Sequence, residues 1–256
     1  VPKTLQTAEH ALQDAKENLE RSKKGRAPLE EHVQRLMRAL KDKGLNPIPV
    51  CDLVRVTDPE WQPVIESYLA SNVQALLVPT GEEVDAFGIY RRLTGKEAVY
   101  GAKIARESRY LATRSPVAGS VAELIEGTNP AAVSFLRSKF GNAKRADTDD
   151  EALESPHALT KDGMLVAGGD IDRLRLGGQQ RIGGGNTNQH AELLRRIADL
   201  DKELVRLAQR SAAAKAVFES LQLFGGEETT IKSMMAVYDA HSAAQQNLDS
   251  LTLRLS

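Results

Sequence analysis

The stretch Val50-Cys51-Asp52-Leu53-Val54-Arg55-Val56-Thr57-Asp58-Pro59 recurs 71 residues on as Val121-Ala122-Glu123-Leu124-Ile125-Glu126-Gly127-Thr128-Asn129-Pro130. Val, Leu, Thr and Pro are identical, while Asp/Glu, Val/Ile and Asp/Asn are close replacements. Residues 50–56 are rich in β-branched side chains and read as a strand. Asp58 then offers an N-cap and Pro59 a first helical position, opening a helix to Leu69. The second copy predicts a matching helix over 130–140. Each copy goes on to a further helix start, Thr80-Gly81-Glu82-Glu83 or Thr148-Asp149-Asp150-Glu151. Strand–Thr–Asx–Pro–helix is also a common local solution, so the shared order of the later elements is what favours duplication. Two similar lobes about a pseudo-two-fold axis are expected.

Around the repeat, Ala75-Leu76-Leu77-Val78 reads as a short strand stopped by Pro79, and 84–93 as a helix. Lys161-Asp162-Gly163 reads as a hairpin turn, and Gly168-Gly169 permits positive φ or close backbone approach. Alternating short strands and helices predict a mixed α/β head over 46–182, with lobes of about 46–115 and 116–182. Outside it the pattern changes. Leu5, Leu12 and Leu19, with Ala8 and Ala15 between them, form a narrow stripe, as do Leu193, Ile197, Leu200, Leu204 and Leu207. Such stripes mark coiled-coil seams rather than helices on a broad core. The first seam breaks at Gly25-Arg26-Ala27-Pro28 and resumes from Leu29 to Leu40; the last is interrupted at Gly225-Gly226 before a helix from about Glu228 to Leu253. Neither arm, 1–45 or 183–256, buries its stripe alone, so antiparallel pairing of the two is expected. A start at Val rather than Met, with helical pattern almost at once, reads as a piece of a longer protein.

Composition sets limits. Formal net charge is −1, which removes a bulk positive field as an argument for nucleic-acid binding. Aromatics make up only 4%, so part of the chain is expected to have a thin, helix-only core. The single Cys51 excludes a disulfide framework within one chain and a Cys-cluster zinc site. No apolar run reaches the ~18 residues of a membrane span, and no signal peptide is expected.

The candidate chemistries fail on residue type and spacing. Gly95-Lys96 is followed by Glu97, with Tyr90 where a phosphate loop needs its first Gly. Gly183-Gly184-Gly185 reads as a joint between head and coil. The five histidines, His10, His32, His157, His190 and His241, are dispersed; Glu154 and His157 are separated by the helix-breaking Pro156. Cys51 is expected to be a small buried residue within the strand. Ser120 lacks the glycines of a nucleophile elbow. Asp147, Asp149, Asp150, Glu151 and Glu154 read as a solvated loop and a helix N-terminus. Basic residues carry more. Arg91, Arg92, Lys96, Lys103, Arg106, Arg109 and Arg114 face only Glu97 and Glu107, a local net of +5. Arg173 and Arg175 add charge near the end of the head. Such runs suit phosphate-backbone contact or form a solvated face. Tyr90, Tyr100 and Tyr110, interleaved with them, either stack on single-stranded bases or join the core.

Coil, duplicated α/β head, then coil resembles the hinge region of structural maintenance of chromosomes (SMC) proteins. Asp52-Leu53-Val54-Arg55-Val56 and the helix after Asp58 are similar to the first hinge lobe. Residues 131–153, and Leu159-Thr160-Lys161-Asp162-Gly163 through Gly168-Gly169, are similar to the second. The segments Trp61-Gln62, Tyr68-Leu69 and Ile89-Tyr90-Arg91-Arg92-Leu93 look closest to MukB-like and Wadjet-type bacterial subunits. The resemblance implies an SMC-hinge-like head flanked by antiparallel coiled-coil helices. It implies a homodimer through the head, with Gly163, Gly168 and Gly169 as interface residues, although the usual glycine-rich interface strands are less obvious here. It further implies sequence-independent DNA contact, ATPase heads beyond both ends, kleisin-type accessory subunits, and a cytoplasmic, nucleoid-associated setting for chromosome organisation or plasmid restriction. No catalytic site, metal or cofactor is expected in this stretch. The competing expectation is a ligand-binding or enzymatic α/β domain inserted in a coiled coil.

Overall fold

A computed structural model describes residues 2–112, 115–178, 180–184, 187–223 and 228–255. The chain divides into two compact units, 11–198 and 1–10 with 199–256.

The larger unit holds the mixed α/β head. Helix α1 (Pro2–Lys23) ends at the Gly25 break, and α2 (Glu31–Lys41) follows. Val33, Leu36, Met37 and Leu40, at 3/4 spacing, put one face of α2 into the core. Strands β1 (Ile48–Pro49), β2 (Val54–Val56), β3 (Leu76–Val78) and β4 (Ile104–Arg106) alternate with helices α3 (Gln62–Leu69) and α4 (Glu83–Arg92). The second lobe contains β5 (Ile125–Gly127), α5 (Pro130–Phe140), β6 (Lys144–Ala146), α6 (Asp149–Glu154), β7 (His157–Thr160), β8 (Met164–Ala167) and β9 (Asp170–Arg173). Among the described residues three sheets form: β1-β3-β4, β2-β5 and β6-β7-β8-β9. One apolar core runs through both lobes and includes Leu36, Ile65, Leu76, Ile125, Leu136 and Phe140, and a smaller cluster of Ala146, Ala152, Ala158 and Val166 lies apart from it in the second lobe.

The repeat is a structural one. Strands β2 and β5 pair antiparallel with Arg55 opposite Glu126, its own equivalent in the other copy. The Thr57 amide donates to the Leu124 carbonyl at 2.9 Å, and its repeat mate Thr128 donates to Leu53 at 3.0 Å. Exchange of the two copies turns one bond into the other, so a pseudo-two-fold axis passes between Arg55 and Glu126. The same holds further out: Val50 donates to Ala75 at 2.9 Å, and Val121 to Ala143 at 2.8 Å. In each lobe the next two strands are parallel, β3 with β4 and β6 with β7. Tyr68 of α3 stacks on Phe140 of α5, ring centroids 5.1 Å apart, and its hydroxyl lies 3.2 Å from His157 Nε2.

Three local expectations are corrected. Only 54–56 of the expected 50–56 strand is extended; Val50–Asp52 form a 3-10 turn, as do Val121–Leu124. Val50 and Cys51 are buried there, and tertiary packing outweighs β propensity. Asp58 caps a turn before α3 instead of the helix itself: its carboxylate accepts from the Glu60 amide, and α3 begins at Gln62 with Pro63 in its first turn. Thr80 does not open α4, because its amide and hydroxyl both donate to the Glu107 carboxylate. Its counterpart Thr148 does cap α6, and Asn129 caps α5 at the Ala132 amide.

Both arm roots are tied to the first lobe. Arg21 grips the nearly buried Asp52 carboxylate with two nitrogens, at 2.7 and 3.1 Å. After β9 the chain returns along α3, where the Glu66 carboxylate accepts from the amides of Arg181 and Ile182. An added Cβ at Gly184 would sit 2.4 Å from the Gly25 carbonyl, so a larger residue there must displace backbone.

Helix α7 (Thr187–Leu223) starts in the larger unit, and its part from Asp199 onward lies in the second unit with α8 (Glu228–Leu255). Arg210 of α7 donates to Ser242 of α8 at 2.5 Å, a pairing of positions nearly equally far from the facing helix ends, as in an antiparallel helical hairpin. Along α7 the heptad positions Ile197, Leu200, Leu204 and Leu207 are less exposed than their neighbours.

Candidate functional site

Among the described residues, the three- and four-stranded sheets each leave one edge without a strand or bridge beside it. In the first lobe β4 is the outer strand beside β3, and in the second β9 is the outer strand beside β8. The opposite edges are blunted: β1 is only two residues long and contains Pro49, and β6 is bridged to Ser120. All four β9 residues are exposed. Gly168 and Gly169 form the two-residue turn between β8 and β9, with φ +60° and +94°, values suited to glycine in a type I′ hairpin. That turn makes Ala167–Asp170 a hydrogen-bonded pair, so Asp170 and Asp172 face β8 and the amides of Ile171 and Arg173 face outward. Gly163 is occupied within its own chain, since its Cβ position lies 3.1 Å from the Leu176 side chain and its carbonyl accepts from Leu174.

The two edges differ in charge. Lys103 precedes β4 and Arg106 ends it, whereas β9 carries Asp170 and Asp172 against Arg173. Arg106 Nε donates to Glu83 at 2.8 Å, and the Ser108 amide donates to the other Glu83 oxygen at 2.9 Å. Together Ser108 and Arg106 hold the Glu83 carboxyl below its ordinary pKa.

A groove of about 360 Å³ opens beside β4 and α5, lined by Lys103, Arg106, Arg109 and Lys139 together with Tyr110 and Phe135. Lys139 Nζ sits 4.8 Å from the Phe135 ring centroid, and Lys103 donates to Asn72. Lys139 lies outside the 91–114 charge run; it joins the groove only because the last turn of α5 packs there. Arg91 and Arg92 are exposed on the last turn of α4, and Arg173 on β9. The Arg175 carbonyl accepts from Ser67. These four do not line the groove. Arg114 and the Lys96 side chain lie outside the described residues. The tyrosines divide: Tyr100 is exposed, Tyr110 packs edge-on against Phe135, and the Tyr90 hydroxyl donates to Ala102.

The nucleophile candidates are shut in. Cys51 is 1% exposed, and burial pushes its thiol up to about 12. Ser120 is 2% exposed. Among the described residues no three His, Cys, Asp or Glu side chains converge to hold a metal, and no helix is long and apolar enough to cross a membrane.

No family model and no curated protein matches the chain. Solved structures do. The hinge domain of Geobacillus stearothermophilus SMC, crystallised as an asymmetric dimer, is 18% identical with a TM-score of 0.45, covering 83% of this chain and 92% of that one. The Pyrococcus furiosus Smc hinge domain with an extended coiled coil is 19% identical with a TM-score of 0.42, covering 90% of each chain. The S. pombe Smc5/6 hinge domain is 13% identical with a TM-score of 0.45, covering 92% and 96%.

Proposed function

We propose that this chain is a hinge-type dimerisation module that contacts DNA through its backbone. The observation that carries the reading is the pair of unpaired strand edges, the basic-flanked β4 and the β9 edge with its two aspartates and Arg173, on two lobes related by a pseudo-two-fold axis. Unpaired edges seek strands. Pairing β4 of one copy with β9 of a second, and β9 with β4 in return, closes a two-fold dimer and satisfies all four edges. It also sets Lys103 and Arg106 against Asp170 and Asp172. Pairing like edges would oppose like charges and leave half of the edges open.

The experiment is a mass measurement by light scattering over a concentration series. The 256-residue chain is expected to be dimeric, and Ile171→Pro to be monomeric with unchanged circular dichroism. Proline at 171 removes an outward amide without touching a β8–β9 hydrogen bond. A monomeric wild type, or a variant that dimerises as wild type does, overturns the reading.

The DNA part rests on the basic groove and on the exposed Arg91 and Arg92 at the end of α4. Replacing Arg91, Arg92, Arg109 and Lys139 by Gln is expected to weaken duplex binding and to lower the salt slope by about one per lost phosphate contact. Unchanged binding refutes it. The larger setting is that of an SMC-type ATPase whose heads and kleisin-type subunits lie outside this chain, with chromosome organisation or plasmid restriction as its task. That setting rests on the sequence resemblance of 50–93 and 121–176. A MukB-like or Wadjet-type placement rests on the Trp61, Tyr68 and 89–93 segments.

A further inference from the structure

The pseudo-two-fold axis makes α3 and α5 comparable residue by residue. Positions 71 apart stay in register to the helix ends, because Ala70 (φ 47°, ψ −127°) and Gly141 (φ 55°, ψ −121°) leave α3 and α5 by the same backbone turn. That turn strains any residue with a Cβ, so its presence at Ala70 marks a backbone kept alike in both copies. On α3 the outer face is covered by the chain itself. Gln62 donates to the Ile182 carbonyl at 2.8 Å, Glu66 accepts from the Arg181 and Ile182 amides, and Ser67 donates to the Arg175 carbonyl at 3.0 Å. All these partners are main-chain groups of the segment that returns from β9. On α5 the mates of the three residues are Val133, Arg137 and Ser138. Ser138 bonds back to the Phe135 carbonyl of its own helix at 2.6 Å, and Arg137 donates Nε and Nη2 to the Ile125 carbonyl of β5. In place of a returning segment, Val133 and Arg137 border a groove of about 600 Å³ beside the β2–β5 ladder.

Charge selects the occupant. Of the ionised groups in the groove wall, Arg55 is bound to Glu126 at 2.8 Å and Asp52 is gripped by Arg21 at 2.7 Å. Arg137 is left with a carbonyl and, among the described residues, with no carboxylate. A half-buried guanidinium in that state favours a carboxylate, which it meets in a planar, two-pronged geometry. The exchange of Glu66 for Arg137 therefore inverts the polarity of the face: α3 accepts main-chain amides, whereas α5 donates to carboxylates and carbonyls. Leu53, Val54, Pro130 and Val133 make the remaining wall apolar. A nucleic-acid strand is disfavoured, since Asp52 and Glu126 share that wall with the cations.

We propose that the α5 groove takes an extended acidic peptide segment of a partner protein, seated as the chain's own 175–182 segment is seated on α3. An aspartate or glutamate of the segment pairs with Arg137, and apolar neighbours pack on Val54 and Val133. None of the lining residues belongs to β4 or β9, so the site makes no use of the strand edges assigned to dimerisation.

The probe is a capped, fluorescein-labelled hexapeptide, Val-Asp-Val-Glu-Val-Gly, titrated into the intact chain by fluorescence anisotropy; the control peptide carries lysine in place of both acidic residues. Saturable binding of the acidic peptide and none of the lysine peptide are expected. Arg137→Gln is expected to weaken binding about tenfold or more, the scale of one charge-assisted hydrogen bond. Since Arg137 also holds the Ile125 carbonyl, Thr128→Trp serves as the variant that leaves the core intact: Thr128 is exposed and lines the groove, and an indole there blocks it. Loss of binding with unchanged circular dichroism is expected. Absence of saturable binding, equal binding of the lysine peptide, undiminished affinity in the Thr128→Trp protein, or displacement of the acidic peptide by duplex DNA overturns the proposal.

Discussion

Gly127 stands where the two lobes meet, opposite Val54 in the ladder that carries the pseudo-two-fold axis. An added Cβ there would lie 2.2 Å from the Leu53 carbonyl oxygen and 2.9 Å from Val54 Cα, both backbone atoms, whereas ordinary contact begins at 3.4 Å. Gly127→Ala must therefore open β2 from β5 by about 1.2 Å, the difference between 3.4 and 2.2 Å. The adjacent Thr128–Leu53 hydrogen bond, 3.0 Å long, does not survive that displacement. Overpacking costs about 1–3 kcal/mol, and a lost ladder bond about 1 more, so roughly 2–4 kcal/mol in all. Urea denaturation followed by circular dichroism reads this as a lower midpoint at unchanged slope. Gly88, inside α4, is the matched control. Its Cβ would meet only the flexible Arg92 guanidinium, 3.6 Å away, so Gly88→Ala should stabilise by about 0.5–1 kcal/mol. A Gly127→Ala protein within about 0.5 kcal/mol of wild type would refute the close-approach argument and the interlobe register with it.

Other consequences follow from single side chains. Cys51, with its thiol pushed up to about 12 by burial, should resist an aromatic disulfide reagent near pH 8 and react at once in denaturant; rapid native labelling would contradict its placement. Burial holds the His157 imidazolium below its ordinary pKa. Its contribution is then present above the unfolded-state value of about 6.5 and lost as pH falls through the folded one. Stability should drop as pH falls below the unfolded-state value of about 6.5, and His157→Gln should flatten that part of the urea-midpoint profile; an unchanged profile would count against it. Glu66→Ala leaves the Arg181 and Ile182 amides without their acceptor and should cost about 2–3 kcal/mol. Hydrogen exchange should quicken at 181–182 while the β2–β5 amides keep their protection; uniform quickening would point to global loosening instead.

How much of this was legible in the sequence depended on the range of the interaction. Helix α5 is framed by Asn129 and Pro130, β3 by the Pro79 stop, and the β7–β8 hairpin by Asp162-Gly163; each is set by neighbours a few residues away. The heptad stripe of α7 was legible for the same reason. The repeat was visible because it is written twice. Its meaning was not, because nothing local tells the two copies to pair with each other about Arg55 and Glu126. The 3-10 turn at Val50–Asp52 went against its own β-branched composition, since burial of Val50 and Cys51 from all sides outweighs a propensity of at most ~1 kcal/mol. Lys139 joined the basic groove, and Asp14 met Arg38 at the arm root, only through helices brought together across tens of residues.

The amino-acid sequence by itself determined the elements, their order and their duplication, because caps, turns and periodic apolar faces act over one or two turns of chain. Which strands face each other, which edges stay open and which polar atoms are enclosed were decided only in the tertiary structure. Those outcomes depend on long-range burial, where hydrophobic area gained across the whole head outweighs the preference of any single segment.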